Sequence, residues 1–162
     1  MLLKSHSYSE KSNWVELVVG IGVGIFYVTN VQNLPGSLET HPYAIAWLVG
    51  KVIVISIVLA IILGILFGLA GVKGKTQEDE RDVSIRRKST VWAYWSLHIG
   101  IVILLVQAFL NVVLRLETNV DQDGFFADLP LVDFLFHGLM ILTMLTQIMQ
   151  NSLEIFFQRR GY

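Results

Sequence analysis

The residues whose types and spacing could support chemistry form a periodic stripe of polar and sulfur-containing side chains near the C-terminus. Its members repeat at intervals of four and three residues: Asp133, His137, Met140, Met144, Gln147, Asn151 and Glu154. At 100° per residue this spacing places them on one helix face, within an arc of about 100°. An aspartate one turn from a histidine can hold a proton or a small cation, because the carboxylate is negative and imidazole titrates near neutral pH.

Side chains from other segments are predicted to meet this stripe. At 1.5 Å per residue, Lys51 and Gln107 lie ~10 Å from the outer ends of their helices, and His137 lies ~12 Å from its own. We predict a ligand or ion site in the outer half of the protein, formed by Lys51, Gln107, Asn111, Asp133 and His137. Lys51 and Asp133 are its expected ion pair. In the alternative, structural interpretation, Lys51 extends alone to the membrane surface and the amides form interhelical hydrogen bonds.

Several classes of chemistry have no support in the sequence. The chain has no cysteine, which excludes disulfides, thiolate metal sites and thiol catalysis. It has no nucleophile–base pair, HExxH motif, phosphate loop or zinc spacing. The depths of His98 and His137 differ by ~8 Å, so the two imidazoles are not expected to hold a haem together. We therefore expect no metal and no cofactor, and nothing favours an enzyme.

The elements that must position these residues are four long apolar segments, at about 14–31, 44–70, 91–114 and 129–149. A hydrocarbon core about 30 Å thick needs ~20 helical residues to cross it, and a helix satisfies its own backbone there. Hydrophobic residues make up 54% of the chain and charged residues 15%. The sequence predicts an all-α membrane protein with a single transmembrane domain, 1–162, folded as an antiparallel four-helix bundle.

Basic residues predict the orientation of this bundle. Ten of the twelve lysines and arginines lie in three places: two in the N-terminal segment, six in the 71–90 loop and two at the C-terminus. By the positive-inside rule, both termini and this loop are predicted to be cytoplasmic, in a multi-pass protein of the cell membrane. No small-x-small cleavage site follows the first apolar segment, so we expect a retained span rather than a signal peptide.

Small residues recur at four-residue spacing in the first two spans. The first carries Gly20 and Gly24, and the second carries Ala60, Gly64 and Gly68. Such faces let helix backbones approach closely in lipid. We expect them to pack within the bundle; the alternative is a homodimer face.

The charged segment before the third span predicts a helix that starts near Glu78, because acidic residues favour the first turn. The run EDERDVSIRRKS and the aromatic VWAYW after it resemble a family of small predicted membrane proteins of unknown function. The positions that carry this resemblance are Asp79, Glu80, Arg81, Asp82, Ile85 and Lys88. The resemblance implies a multi-span membrane fold and no activity. A charged juxtamembrane turn without functional meaning is the alternative.

Three functions are compatible with these patterns. The leading prediction is an accessory or structural membrane subunit, oligomeric or part of a larger complex, because packing accounts for every polar residue. Its partners would be lipid and membrane subunits, its own copies included, and not nucleic acid. The alternatives are a small transporter or channel that uses the outer site, and a membrane sensor or immunity protein. The last would make its cytoplasmic contact through Asp79, Glu80, Arg81, Asp82, Arg86, Arg87 and Lys88.

Overall fold

The chain folds into four long helices. The structure is a computed structural model that describes residues 8–67, 80–118 and 130–160, apart from the side chains of residues 111 and 114–118. The helices are α1 (Tyr8–Val31), α2 (Pro42–Leu66), α3 (Glu80–Thr118) and α4 (Leu131–Arg160). Each is long and apolar enough to cross a membrane. The described residues therefore confirm an all-helical, multi-pass membrane protein.

The helices extend beyond the apolar segments that predicted them. α3 begins at Glu80, eleven residues before Val91, which confirms the predicted charged extension. α4 continues to Arg160, well past Met149, where the apolar segment ends. Acidic residues lie in the first turn of α3 and two arginines lie in the last turn of α4. Both match the sign of the helix dipole, so the polar ends stay helical outside the apolar core.

α1 and α4 are the central helices of the fold. α1 packs against α2 and α4, and α3 packs against α4. The apolar core joins three helices: Val23 and Tyr27 of α1, Leu48 and Val52 of α2, and Met140, Ile141 and Met144 of α4. The outward faces of α2 and α3 expose large aliphatic and aromatic side chains, as expected of surfaces that lie against lipid.

The contact between α3 and α4 depends on two glycines that face leucines. A Cβ atom on Gly138 would lie 2.5 Å from Cδ1 of Leu104, and a Cβ on Gly100 would overlap Leu142 in the same way. Each leucine therefore fills a space that a glycine leaves on the opposite helix. Close approach at small residues is the main source of packing energy between helices in lipid.

The small residues singled out from the sequence have a smaller part in this packing. A Cβ on Gly20 would lie 3.2 Å from Ile148, so Gly20 does pack against α4. A Cβ on Gly24 or Gly64 would have no atom of another described helix within 4 Å. Ala60 is exposed, and Gly68 lies outside the described residues. Only the first glycine of the predicted faces is used between the described helices.

Substituting Gly138 by alanine should destabilise the protein by about 1–3 kcal/mol, because the new methyl group overlaps Leu104 in a filled interface. Thermal unfolding of the purified protein in detergent measures the effect. Gly50→Ala is the matched control, since Gly50 is a helical glycine with open space around it. It should be neutral or stabilising, because alanine is the better helix former. Equal unfolding temperatures for the two variants would contradict this account of the α3–α4 contact.

Candidate functional site

A tyrosine and a histidine from distant parts of the chain form a buried hydrogen bond. The Tyr27 hydroxyl of α1 lies 2.7 Å from Nδ1 of His137 of α4. Tyr27 is fully buried and His137 is 5% exposed. Asp133 lies one helical turn before His137, on the same face of α4. We call Tyr27, Asp133 and His137 the Tyr27–His137 cluster.

Asp133 is the most deeply buried acidic side chain of the described residues, at 1% exposure. Its Oδ1 accepts a hydrogen bond of 2.7 Å from the backbone N–H of Leu38, in the loop between α1 and α2. Its Oδ2 is buried and has no hydrogen-bond partner among the described residues. The carboxylate also lies in the first turn of α4, where the helix dipole favours a negative charge. Asp133 thus attaches the first loop to the last helix and keeps one acceptor atom unused.

Lys51 is not part of this cluster. Its side chain is exposed, and Nζ lies 5.7 Å from the centroid of the Trp47 ring on the same helix. Asp133 bonds instead to the loop backbone, so the predicted Lys51–Asp133 ion pair is not formed. The ammonium group lies over an aromatic ring of its own helix, away from the bundle interior. This agrees with the structural interpretation, in which Lys51 extends alone to the membrane surface.

Gln107, another predicted site residue, forms no hydrogen bond with Asp133 or His137. Gln107 is exposed on α3, one turn beyond the leucine that packs against Gly138. The side chain of Asn111 lies outside the described residues. Of the five predicted site residues, the structure therefore brings together Asp133 and His137, and it adds Tyr27 and the backbone of Leu38.

The Tyr27–His137 cluster has the chemistry of a proton or cation site. Phenol and imidazole can each donate or accept a proton, and their buried hydrogen bond fixes the orientation of the ring. The unused carboxylate oxygen is an acceptor for a cation or an N–H or O–H donor. No group of three or more histidine, aspartate or glutamate side chains in the described ranges could hold a metal ion.

A second polar region lies at the opposite end of the α1–α4 contact. Arg159 Nε donates to Glu10 Oε1 over 3.2 Å, and Gln158 Nε2 donates to Ser9 Oγ over 3.0 Å. Asn151 and Glu154, the last members of the α4 stripe, are buried there. Gln147 is the exception, because its side chain is exposed.

Apolar side chains separate the two polar regions. Met140 and Met144 pack against the cluster of Val23, Tyr27 and Val52 in the middle of the α1–α4 contact. Closer to the second region, Gly20 packs against Ile148. The α4 stripe is thus polar at both ends and closed in the centre by side-chain packing.

The first turns of α3 carry the charged residues predicted as a cytoplasmic contact. Exposed side chains there are Glu80, Arg81, Arg86, Arg87 and Lys88, and Asp82 is half-buried. Asp79 lies outside the described residues. Arg81 Nη2 donates to the backbone carbonyl of Gln158 over 3.2 Å, which attaches this end of α3 to α4. Ile85, from the segment that carries the family resemblance, is 2% exposed and belongs to the core.

Sequence reasoning missed Tyr27 and Leu38 as site residues. Tyr27 had a detectable signal, because it shares one face of α1 with Glu16 and Gly20. Leu38 had none, since its contribution is a backbone N–H, and every residue other than proline has one.

Removing the Tyr27 hydroxyl should leave the His137 nitrogen buried without a partner. We expect Tyr27→Phe to destabilise the protein by about 1–3 kcal/mol, the cost of an unsatisfied buried polar group. Unfolding temperatures in detergent provide the measurement. Tyr43→Phe makes the same chemical change at a side chain that is 89% exposed and should have little effect. If both variants unfold at the wild-type temperature, the Tyr27–His137 bond contributes nothing.

Comparison with known proteins gives no match: no family model, no curated protein and no solved structure is similar to this chain. The resemblance of the 79–88 segment to a family of small membrane proteins therefore stays a prediction. The function has to be argued from the residues and their geometry.

Proposed function

We propose that this chain is a structural or accessory subunit of a membrane assembly, formed by its own copies or with other membrane proteins. The observation that carries the proposal is the apolar packing between the two polar regions of the α1–α4 contact. Met140 and Met144 fill the space in which a conducting protein would need water or polar side chains. Polar groups at the two ends then act as hydrogen-bonding contacts between helices, a common role for them in membranes.

The arrangement of the helices also supports a subunit. α2 and α3 each pack mainly on one central helix, and their remaining surfaces are apolar and exposed, including Ile61 at 57% and Ile103 at 62%. Gly64 of α2 and Gly24 of α1 have open space around them within the described chain. A helix of another chain could approach closely at these positions.

We further propose an antiparallel bundle in the cell membrane, with both termini in the cytoplasm. Ser9 of α1 contacts Gln158 of α4, and Tyr27 of α1 contacts His137 of α4. Residue numbers therefore increase along α1 while those of the partners on α4 decrease, as expected for antiparallel helices. Contacts of α3 with α4, such as Ser89 with Glu154, follow the same rule. The positive-inside rule supplies the side of the membrane.

The absence of cysteine from the sequence allows both parts of this proposal to be tested with single-cysteine variants. Glu39→Cys and Lys88→Cys should react with a membrane-impermeant thiol reagent from opposite sides of sealed vesicles. Labelling of both from the same side would rule out the proposed topology.

Ile61→Cys and Ile103→Cys then test the assembly. At least one of these exposed positions should give a disulfide-linked species in native membranes, to another copy or to a partner present in equal amount. Val23→Cys is the control, because Val23 is 5% exposed and should not crosslink. A single-chain mass in nanodiscs, with no crosslink from either variant, would reject the subunit proposal.

A small transporter or channel is the second candidate, and one observation favours it. Asp133 keeps a buried carboxylate oxygen without a partner, and an ionisable group at membrane depth is a functional-site hypothesis by default. In this candidate, the cluster of Tyr27, Asp133 and His137 binds a proton or small cation, and the methionine-filled section has to open during transport.

Proteoliposomes loaded with a pH-sensitive dye test the second candidate. If the cluster conducts protons, His137→Gln should reduce proton flux at least tenfold and remain folded, as judged by its unfolding temperature. His98→Gln is the matched control, because His98 is exposed and stacks on Tyr94 of its own helix. Wild-type flux no greater than that of empty liposomes would remove this candidate.

A further inference from the structure

The face of α2 that points away from α1 carries two aromatic residues and a lysine in successive turns. Tyr43, Trp47 and Lys51 are spaced by four residues, which places them within an arc of about 80°. Tyr43 is 89% exposed, Trp47 is 68% exposed and Lys51 is also exposed. Leu48 and Val52, on the opposite face, are buried in the core shared with α1. We call Tyr43, Trp47 and Lys51 the aromatic–lysine face.

Lys51 lies just inside the apolar part of the membrane. α2 has 25 residues, whereas ~20 helical residues cross a hydrocarbon core about 30 Å thick. Counted back from Leu66, these residues reach Trp47, so the Cα of Lys51 lies ~6 Å inside the boundary at the loop end of α2. Side chains of a helix lean toward its N-terminus, and Nζ of Lys51 lies 5.7 Å from the centroid of the Trp47 ring. The ammonium group is thus held at the level of the boundary.

Nothing in the described part of the chain balances the charge of Lys51. Its one interaction there is the contact with the Trp47 ring, and the first turn of α2 contains no acidic residue. Glu39, the acidic residue closest to it in the sequence, is exposed and forms no salt bridge with it. A charged group near the hydrocarbon core is costly unless it is paired. We therefore expect an anionic partner from outside these residues.

Beyond the lysine, the same face of α2 becomes aliphatic. Val54 and Val58 continue the stripe and are 59% and 46% exposed. From Trp47 to Val58 the helix rises ~16 Å, close to half of the ~30 Å core and therefore to the thickness of one leaflet's hydrocarbon layer. A phospholipid has a matching order of groups along its length: a phosphate, then ester carbonyls, then acyl chains.

We infer that the aromatic–lysine face binds an anionic phospholipid of the leaflet next to the α1–α2 loop. The Lys51 ammonium group pairs with the phosphate, which supplies the missing negative charge. The Trp47 N–H and the Tyr43 hydroxyl donate to phosphate or ester oxygens, and an acyl chain lies along Val54 and Val58. The site is independent of the proposed subunit function, and it requires no particular orientation of the protein in the membrane.

Quenching of a fluorophore beside the site tests the inference. Val54→Cys, in a chain that has no other cysteine, is labelled with bimane and placed in phosphatidylcholine nanodiscs that contain a small fraction of phosphatidylglycerol. Bromine is carried on the acyl chains of one lipid at a time. The attraction of a single lysine to anionic lipid corresponds to a roughly fivefold preference. We expect phosphatidylglycerol to quench the label about fivefold more strongly per mole than phosphatidylcholine.

Variants of Lys51 show whether the lysine causes this preference. Lys51→Gln should remove it, and Lys51→Arg should keep it because the positive charge remains. Arg87→Gln is the matched control, since it removes one positive charge from an exposed side chain near the Glu154 end of the bundle, and it should leave the quenching unchanged.

Three results would overturn the inference. The first is equal quenching by the two lipids in the otherwise wild-type chain, and the second is a preference that survives Lys51→Gln. The third is a label that neither lipid quenches, because a protein surface would then cover this face of α2.

Discussion

The contact between α1 and α4 is the interaction on which the rest of the structure depends. In lipid, apolar helix surfaces gain little from facing each other, so close packing and polar contacts decide which helices associate. α1 and α4 have both, with the Tyr27–His137 hydrogen bond at one end and the Glu10–Arg159 ion pair at the other. α2 and α3 then pack on the outer sides of this pair. Their positions follow from a central pair that is fastened at two separate levels.

The number and type of the helices could be predicted from the sequence, because a backbone inside a membrane has few ways to satisfy its hydrogen bonds. The ends of the helices could not. Hydropathy marks where the apolar core stops, but a helix continues as long as its backbone and charges allow, as α4 does up to Arg160. The stripe on α4 was largely predicted, since Asp133, His137, Asn151 and Glu154 are all buried. Gln147 is the exception in this stripe, because its side chain is exposed.

The partners of the site residues were much harder to predict. Depth along a helix suggested Lys51 for Asp133, but depth says nothing about the rotation of one helix relative to another. In the structure Asp133 bonds to the Leu38 backbone, and Lys51 lies over Trp47. The glycines that determine the α3–α4 distance, Gly100 and Gly138, are isolated in the sequence and form no repeating pattern. The packing role of each glycine can be recognised only when the leucine opposite it is known.

The pairing of the first helix with the last has a consequence for how the protein is made. Tyr27 and His137 are 110 residues apart in the chain, and contacts this distant form late because a long loop must close first. While the ribosome is still making α2 and α3, the Tyr27 hydroxyl has no histidine to bond. Until α4 is in place, that hydroxyl needs another hydrogen-bond partner, such as water. The centre of the protein is therefore the last part to be assembled, and α4 completes it on arrival.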